Sequence, residues 1–199
     1  MKLYLKNHTE RYPVEQLQLQ LFAQEPSEFC TEPFTGDGTV SSLSRGKRYL
    51  TATAKVTYQG KTGFAVNRVL LDRADVRATR RILQRSYYLA ALQVLPAAPP
   101  WGALSGVRPT KLSTKCLMAG GSEKDAEKLL REAYFVSPER ARLCVDASRH
   151  TVEAAKLLDA DDLSVYIGIP FCPTRCAYCS FVSQSIERFG EFLPAYLDA

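Results

Sequence analysis

Three of the six cysteines in this 199-residue chain lie within eight residues of one another. Cys172, Cys176 and Cys179 form the pattern C-x3-C-x2-C. Three thiolates on one short loop suit a cubane iron–sulfur cluster, because cysteine thiolates are the usual ligands of such clusters. Three ligands for four irons leave one iron open, and metal sites that do chemistry keep an open position. The motif therefore predicts an iron–sulfur cluster with one open iron at which chemistry can take place.

Three other interpretations of the same cysteines remain open. A structural zinc would need a fourth ligand, for which Cys144 or His150 would have to fold back. Cys176 and Cys179 alone form a C-x-x-C pair, which can act in thiol redox chemistry. The three could also be buried structural cysteines, beside Pro170 and Pro173.

Composition and charge narrow the class of protein. The chain is 46% hydrophobic and 24% charged with a net charge of +5, as is typical of a soluble globular protein. It contains no apolar run long enough for a membrane span and no secretory signal, so we expect a cytoplasmic, reducing environment. A disulfide framework is then not expected, and Cys30, Cys116 and Cys144 are predicted to be small core residues.

Residues 1–98 are predicted to form an α+β accessory domain. Apolar spacing and Pro13 predict a helix over 13–22, and prolines and glycines predict a loop over 25–38. Two strands over 49–58 and 62–71 are joined by a tight turn at Gln59-Gly60. A long helix is predicted over 72–95.

Arginines recur along one face of that long helix. They are Arg73, Arg77, Arg80, Arg81 and Arg85. The stripe is either a solvated helix face or an anion-binding surface. It lacks the interleaved aromatic residues of a single-strand binder, so a nucleic-acid partner is not expected.

Residues 99–160 are predicted to be a helical connector that follows the stiff Pro96–Pro100 stretch. One helix starts at Pro109, one is capped by Ser122 with Asp125 and extends to about 135, and one is capped by Ser137 and extends to about 158. Residues 161–199 are predicted to contain a buried strand over 163–169, the cysteine loop and a helix over 187–199.

The cysteine motif, with an aromatic residue just before its last cysteine, resembles the signature of the radical S-adenosylmethionine superfamily. The resemblance implies that Cys172, Cys176 and Cys179 bind a [4Fe-4S] cluster. Its open iron would chelate S-adenosylmethionine, with Tyr178 near the adenine. One electron from the reduced cluster would cleave the sulfonium and give a 5′-deoxyadenosyl radical that abstracts hydrogen.

The flanking residues are similar to the oxygen-independent coproporphyrinogen III oxidase group. Tyr166-x-x-x-Pro-Phe-Cys172 matches that group's motif, and the tyrosine there lies close to S-adenosylmethionine. With the stretch 101–112, the chain looks most like the HemZ branch. The resemblance implies oxidative decarboxylation of two propionates of coproporphyrinogen III to vinyls, with a flavodoxin or ferredoxin as electron donor.

Two positions depart from the oxidase pattern. Gly168 stands where the oxidases have histidine, and Ser180-Phe181 follows the last cysteine where they have Gly-Cys. The Cys-Ser-Phe form is closer to the haem-chaperone branch, which would bind haem without oxidising porphyrinogen. A radical enzyme for another substrate, such as a nucleic acid, is the third alternative.

Chain length bears on the fold that the resemblance implies. A (β/α) barrel needs roughly 200 residues, and about 20 follow Cys179. The expected architecture is an α+β domain, a helical connector and the first β/α unit of a truncated radical S-adenosylmethionine barrel. We expect such an amino-terminal fragment to be inactive by itself.

Overall fold

A mixed five-stranded sheet forms the centre of the first part of the chain. The computed structural model describes residues 1–159, 161–176 and 179–199, and they divide into two units, Met1–Leu157 and Leu158–Ala199. The sheet belongs to the first unit and has the order β2-β1-β3-β4-β5. Its strands are β1 (Lys2–Lys6), β2 (Glu28–Cys30), β3 (Gly38–Arg45), β4 (Tyr49–Tyr58) and β5 (Lys61–Leu70).

Strand β1 is parallel to both of its neighbours, whereas β3, β4 and β5 form an antiparallel meander. The β4–β5 hairpin closes at Gln59 and Gly60, with φ of 49° and 76°. Positive φ at both central residues matches the right-handed twist of the flanking strands. The Gln59 backbone N–H also donates to Asp37 Oδ2 at 3.0 Å, which holds the turn.

Helices α1 (Tyr12–Leu21) and α2 (Val76–Ala91) share a hydrophobic core with the sheet. Alternate residues of β4 are buried in this core, while the residues between them face the other side. The buried side chains include Leu50, Ala52, Ala54 and Val56 from β4, and Leu83, Tyr87, Ala90 and Ala91 from α2. Asp75 caps α2 by accepting a hydrogen bond from the Ala78 backbone N–H at 2.6 Å.

A second hydrophobic cluster lies among the helices that follow. They are α3 (Pro109–Met118), α4 (Glu123–Lys128) and α5 (Pro138–Ala155), with a π-helical turn over Leu129–Ala133. Two buried hydroxyls, Ser113 Oγ and Ser148 Oγ, lie 2.7 Å apart and join α3 to α5. Ser122 and Asp125 form a capping box at the start of α4, and Ser137 caps α5.

The second unit consists of short elements. Strands β6 (Phe171–Cys172) and β7 (Gln184–Ser185) pair in parallel, and α6 (Ile186–Phe189) and α7 (Leu193–Asp198) follow, separated by a 3₁₀ turn over Gly190–Phe192. None of the helices within the described ranges has the length and hydropathy needed to span a bilayer.

The structure confirms the α+β character, the helix over 13–22, the β4–β5 hairpin, the start of α3 at Pro109 and the capped starts of α4 and α5. The loop predicted over 25–38 was wrong in part, because it contains β2 and the first residue of β3. The long helix begins at Val76 rather than Asp72, since a 3₁₀ turn occupies Leu71–Arg73. The helix over 187–199 is interrupted at Gly190.

The buried strand predicted over 163–169 was wrong. These residues have no strand partner in the described part of the chain, and Leu163, Val165 and Ile167 are 91%, 81% and 80% exposed. A buried parallel strand needs neighbours on both edges and cover on both faces, which the described residues do not supply here. The first β/α unit of a barrel and the boundaries 1–98, 99–160 and 161–199 therefore stay predictions.

Candidate cluster-binding segment

Cys172 is held in place by the β6–β7 pair. It lies opposite Ser185 in the register and is half-buried. The Gln184 backbone N–H donates to the Pro170 carbonyl at 2.7 Å, one step before the pair begins. The first cysteine of the motif therefore has a fixed backbone position within the second unit.

A backbone hydrogen bond joins the other two cysteines. The backbone N–H of Cys179 donates to the Cys176 carbonyl at 3.0 Å, and Cys176 is exposed while Cys179 is half-buried. Tyr178, predicted to lie near the adenine of S-adenosylmethionine, falls outside the described residues.

Cys172, Cys179 and Tyr166 line one cavity of about 300 Å³. Its other walls are mainly apolar and include Ile169, Pro170, Phe181 and Val182, with Gly168 and Ser183. The structure thus brings together two of the three predicted cluster ligands and the predicted S-adenosylmethionine-binding tyrosine. Cys176 is not part of this lining.

The three thiols are not gathered into a metal-binding group in this structure. Within the described ranges, no group of three or more His, Cys, Asp or Glu side chains is placed to hold a metal ion. The donor chemistry nevertheless fits an iron–sulfur cluster, because all three thiols are free and are carried on one eight-residue loop.

Most of the chain is similar in sequence to a known bacterial protein. It is 31% identical, over an alignment of 188 residues that covers 90% of the chain, to the oxygen-independent coproporphyrinogen-III oxidase-like protein HemZ of Bacillus subtilis (strain 168). The chain is a homologue of HemZ. It spans 36% of that relative's length. No protein-family model matches the chain, and no solved structure matches it.

The homology to HemZ confirms the resemblance that the cysteine motif and its flanks indicate. Because the match covers nine-tenths of the chain, it includes residues well outside the motif.

A second cavity, of about 360 Å³, is also lined by Cys172. Arg175 and Arg188 both line it, together with Ser183, Gln184 and polar neighbours. The two guanidinium groups make this side of the loop electropositive. Neither arginine is predicted as a site residue from the sequence, although Arg175 lies within the cysteine motif and could have been singled out for that reason.

The segment before Cys172 is fixed by α7. The Tyr196 hydroxyl donates to the Gly168 carbonyl, and the rings of Tyr196 and Phe171 meet edge to face at 5.6 Å. These contacts position the backbone on which Tyr166 and Gly168 lie. No sequence signal pointed to Tyr196, because its partners are 25 to 28 residues away.

Some arginines of the stripe on α2 bind other residues of this chain. Arg80 pairs with Glu10 at 2.7 Å, and Arg85 donates to the Glu132 carbonyl at 3.0 Å and lies over the Phe135 ring at 4.6 Å. The stripe is therefore not a free cationic surface along its whole length.

The three isolated cysteines differ in burial. Cys144 is in the second hydrophobic cluster, as predicted, and burial raises the pKa of its thiol. Cys30 and Cys116 are only half-buried. His150 is exposed on α5, with its ring 3.5 Å from Glu153 and 3.8 Å from Asp146.

Proposed function

We propose that this chain carries the cluster-binding segment of a radical S-adenosylmethionine protein of tetrapyrrole metabolism. The observation that carries the proposal is the C-x3-C-x2-C motif, with Cys172, Cys179 and Tyr166 around one cavity. The homology to HemZ supports the same proposal.

In this proposal Cys172, Cys176 and Cys179 hold a [4Fe-4S] cluster, and Tyr166 and Tyr178 border bound S-adenosylmethionine. The bound cluster supplies the electron that cleaves the sulfonium of S-adenosylmethionine. The apolar residues Ile169, Phe181 and Val182 form part of the cavity wall and are themselves largely exposed to solvent.

We propose coproporphyrinogen III as the substrate, with oxidative decarboxylation of two propionates to vinyls as the reaction. The support is the similarity to HemZ, an oxygen-independent coproporphyrinogen-III oxidase-like protein, together with Tyr166-x-x-x-Pro-Phe-Cys172. A flavodoxin or ferredoxin would supply the electrons.

A haem-binding protein without oxidase activity is the second candidate. Ser180-Phe181 after the last cysteine favours it, because this form is closer to the haem-chaperone branch. Gly168 favours neither candidate, since both branches tend to have histidine there.

The cluster is tested by anaerobic reconstitution of the 199-residue chain with iron and sulfide. We expect iron and sulfide bound in about equal amounts, with an electron paramagnetic resonance signal on reduction. Cys176→Ala should lose the cluster, whereas the matched control Cys30→Ala, a half-buried cysteine outside the motif, should keep it. Equal iron content in the two variants, or binding of zinc alone, would overturn the proposal.

The substrate is tested on a protein that contains this chain and matches the full length of the relative. It is incubated with coproporphyrinogen III, S-adenosylmethionine and a reductant. Protoporphyrinogen with deoxyadenosine, both lost in Cys176→Ala, supports the oxidase. Haem binding without porphyrinogen turnover supports the second candidate.

A further inference from the structure

A cavity of about 780 Å³ opens between α2 and the region from α4 to the start of α5. It lies within the first unit, away from the cysteine motif in sequence, and the proposed function does not use it. We call it the α2–α4 cavity. Among the residues that line it are Tyr88, Ala98, Lys124, Lys128, Phe135 and Val136.

The inner wall of the α2–α4 cavity is apolar and rigid. Tyr88 and Val136 are buried core residues, and the Tyr88 ring stacks on Phe135 at 5.0 Å with an interplanar angle of 25°. The Arg85 guanidinium also contacts the Phe135 ring. A ligand entering here would meet a preformed surface, which lowers the entropic cost of binding.

Unusual backbone shapes the same wall. Phe135 has φ of 59°, a conformation that bulky residues rarely adopt, and it follows the π-helical turn Leu129–Ala133. Gly102 packs directly against the backbone of Tyr134 and Phe135, where a side chain would clash. Such strain and π-helical turns are concentrated at functional sites.

The outer rim carries positive charge. Lys124 and Lys128 lie four residues apart on α4, so they share one face. Arg131 is paired with Glu127 at 3.2 Å, whereas neither lysine has an ion pair among residues 1–159. Glu132 is the other acidic residue of the lining. Apart from the Arg131–Glu127 pair, the lining therefore has two lysines and one carboxylate.

We infer that the α2–α4 cavity binds a carboxylated tetrapyrrole. Its volume is within the range of about 300–1,000 Å³ that is usual for organic ligands, and far exceeds what an inorganic anion requires. An apolar wall with lysines at the mouth fits a ligand with a flat apolar body and carboxylates at its edge. The choice of a tetrapyrrole among such amphipathic acids rests on the proposed function; the cavity would be an accessory site for substrate or product.

The test is a spectroscopic titration of the cluster-free 199-residue chain with coproporphyrin III, the stable oxidised form of the proposed substrate. No cluster is required, so failure here is distinguishable from failure of the proposed function. Ala98→Trp fills the cavity, and Ala97→Trp places the same bulk on the neighbouring exposed residue outside it. The double variant Lys124→Ala/Lys128→Ala is matched by Lys111→Ala/Lys115→Ala, an exposed pair on α3 with the same change in charge.

We expect Ala98→Trp and the Lys124/Lys128 double variant each to weaken binding by about tenfold or more, since a lost charge-assisted contact has an effect of this order. Ala97→Trp and the Lys111/Lys115 variant should bind as the wild type does. Equal affinity in all variants, or no binding at all, would overturn the inference. Displacement of the porphyrin by an equal concentration of palmitate would show a general fatty-acid site and overturn the tetrapyrrole assignment.

Discussion

His8 follows β1 and reaches across to β3. Its Nε2 lies 3.2 Å from Ser41 Oγ and 3.3 Å from the Ser41 carbonyl. Burial lowers the pKa of His8 below its ordinary value of 6.5, against smaller opposing effects of the Ser41 hydrogen bond and the charge of Glu10. The folded protein therefore binds the proton on this ring less readily than the unfolded chain does.

This lowered pKa predicts how stability depends on pH. Below pH 6.5 the unfolded chain takes up a proton at His8 before the folded protein does, so the free energy of unfolding falls as pH falls through that window. Urea denaturation at pH 7.5 and 5.5 measures the change. His8→Gln should lose stability at pH 7.5 and show a smaller decrease towards pH 5.5 than the wild type does. An unchanged decrease in His8→Gln would contradict the assignment.

The residues of the candidate site differ in how well they can be predicted from the sequence. Cys172, Cys176 and Cys179 were found because their spacing is local and their side chains have specific chemistry. Arg188 and Tyr196 come near the motif only through folding. Arg188 lines a cavity with Cys172, and Tyr196 contacts Gly168 and Phe171 just before the loop. These residues are 16 to 28 positions apart, and no local pattern encodes their approach.

At the scale of elements, Gly63 sets how closely α2 approaches β5. A Cβ atom at Gly63 would clash with the Ala90 carbonyl of α2, and it would lie 2.9 Å from Gln93 Cβ. The Gln93 side chain also bonds the Phe64 backbone in both directions, with its Oε1 accepting at 3.2 Å and its Nε2 donating at 2.8 Å. The absence of a side chain at Gly63 thus allows this helix–strand contact.

We predict that Gly63→Ala destabilises the fold by about 1–3 kcal/mol, the usual effect of overpacking a close contact. Gly46→Ala is the control, because its added Cβ would meet only the Tyr49 carbonyl at 3.5 Å, an ordinary contact distance. Its effect should stay within about 0.5 kcal/mol. Chemical denaturation of both variants gives the difference, and equal stability of the two would show that α2 shifts without cost.

The elements also show where sequence patterns succeed and fail. The β4–β5 hairpin was predictable because Tyr49–Tyr58 is rich in β-forming residues and Gln59-Gly60 suits a tight turn. Strand β3 was missed because its inward positions include Thr39 and Ser41, which are polar yet fully buried. Their burial comes from neighbouring strands and α2, so the apolar alternation that marks a strand is absent.

At the scale of the whole molecule, the two units differ in how much core they contain. The buried hydrophobic residues all lie within Met1–Leu157, whereas Leu158–Ala199 contains no fully buried hydrophobic residue among those described. The apolar run over 163–169 predicted burial because its composition is that of a core strand. Composition alone cannot supply the neighbouring strands that burial requires.

This contrast predicts the pattern of limited proteolysis. Tyr166 is 83% exposed and Leu163 is 91% exposed, so chymotrypsin should cut this segment first and leave a resistant product that ends near Leu157. The early cleavage sites are read by mass spectrometry. First cuts within Met1–Leu157 would contradict the difference in stability between the two units.

The same digestion also reports on the proposed cofactors. If Tyr166 borders S-adenosylmethionine beside a cluster on Cys172, Cys176 and Cys179, anaerobic reconstitution with S-adenosylmethionine should slow the cut after Tyr166 several-fold. A bound ligand protects the backbone that contacts it, because the open form is less populated. Cys176→Ala should remove the protection and Cys30→Ala should retain it, while cleavage at Leu157 and Leu158, outside the cavity lining, should change less. Protection that persists in Cys176→Ala would separate the folding of this segment from cluster binding, and would leave Tyr166 without the role proposed for it.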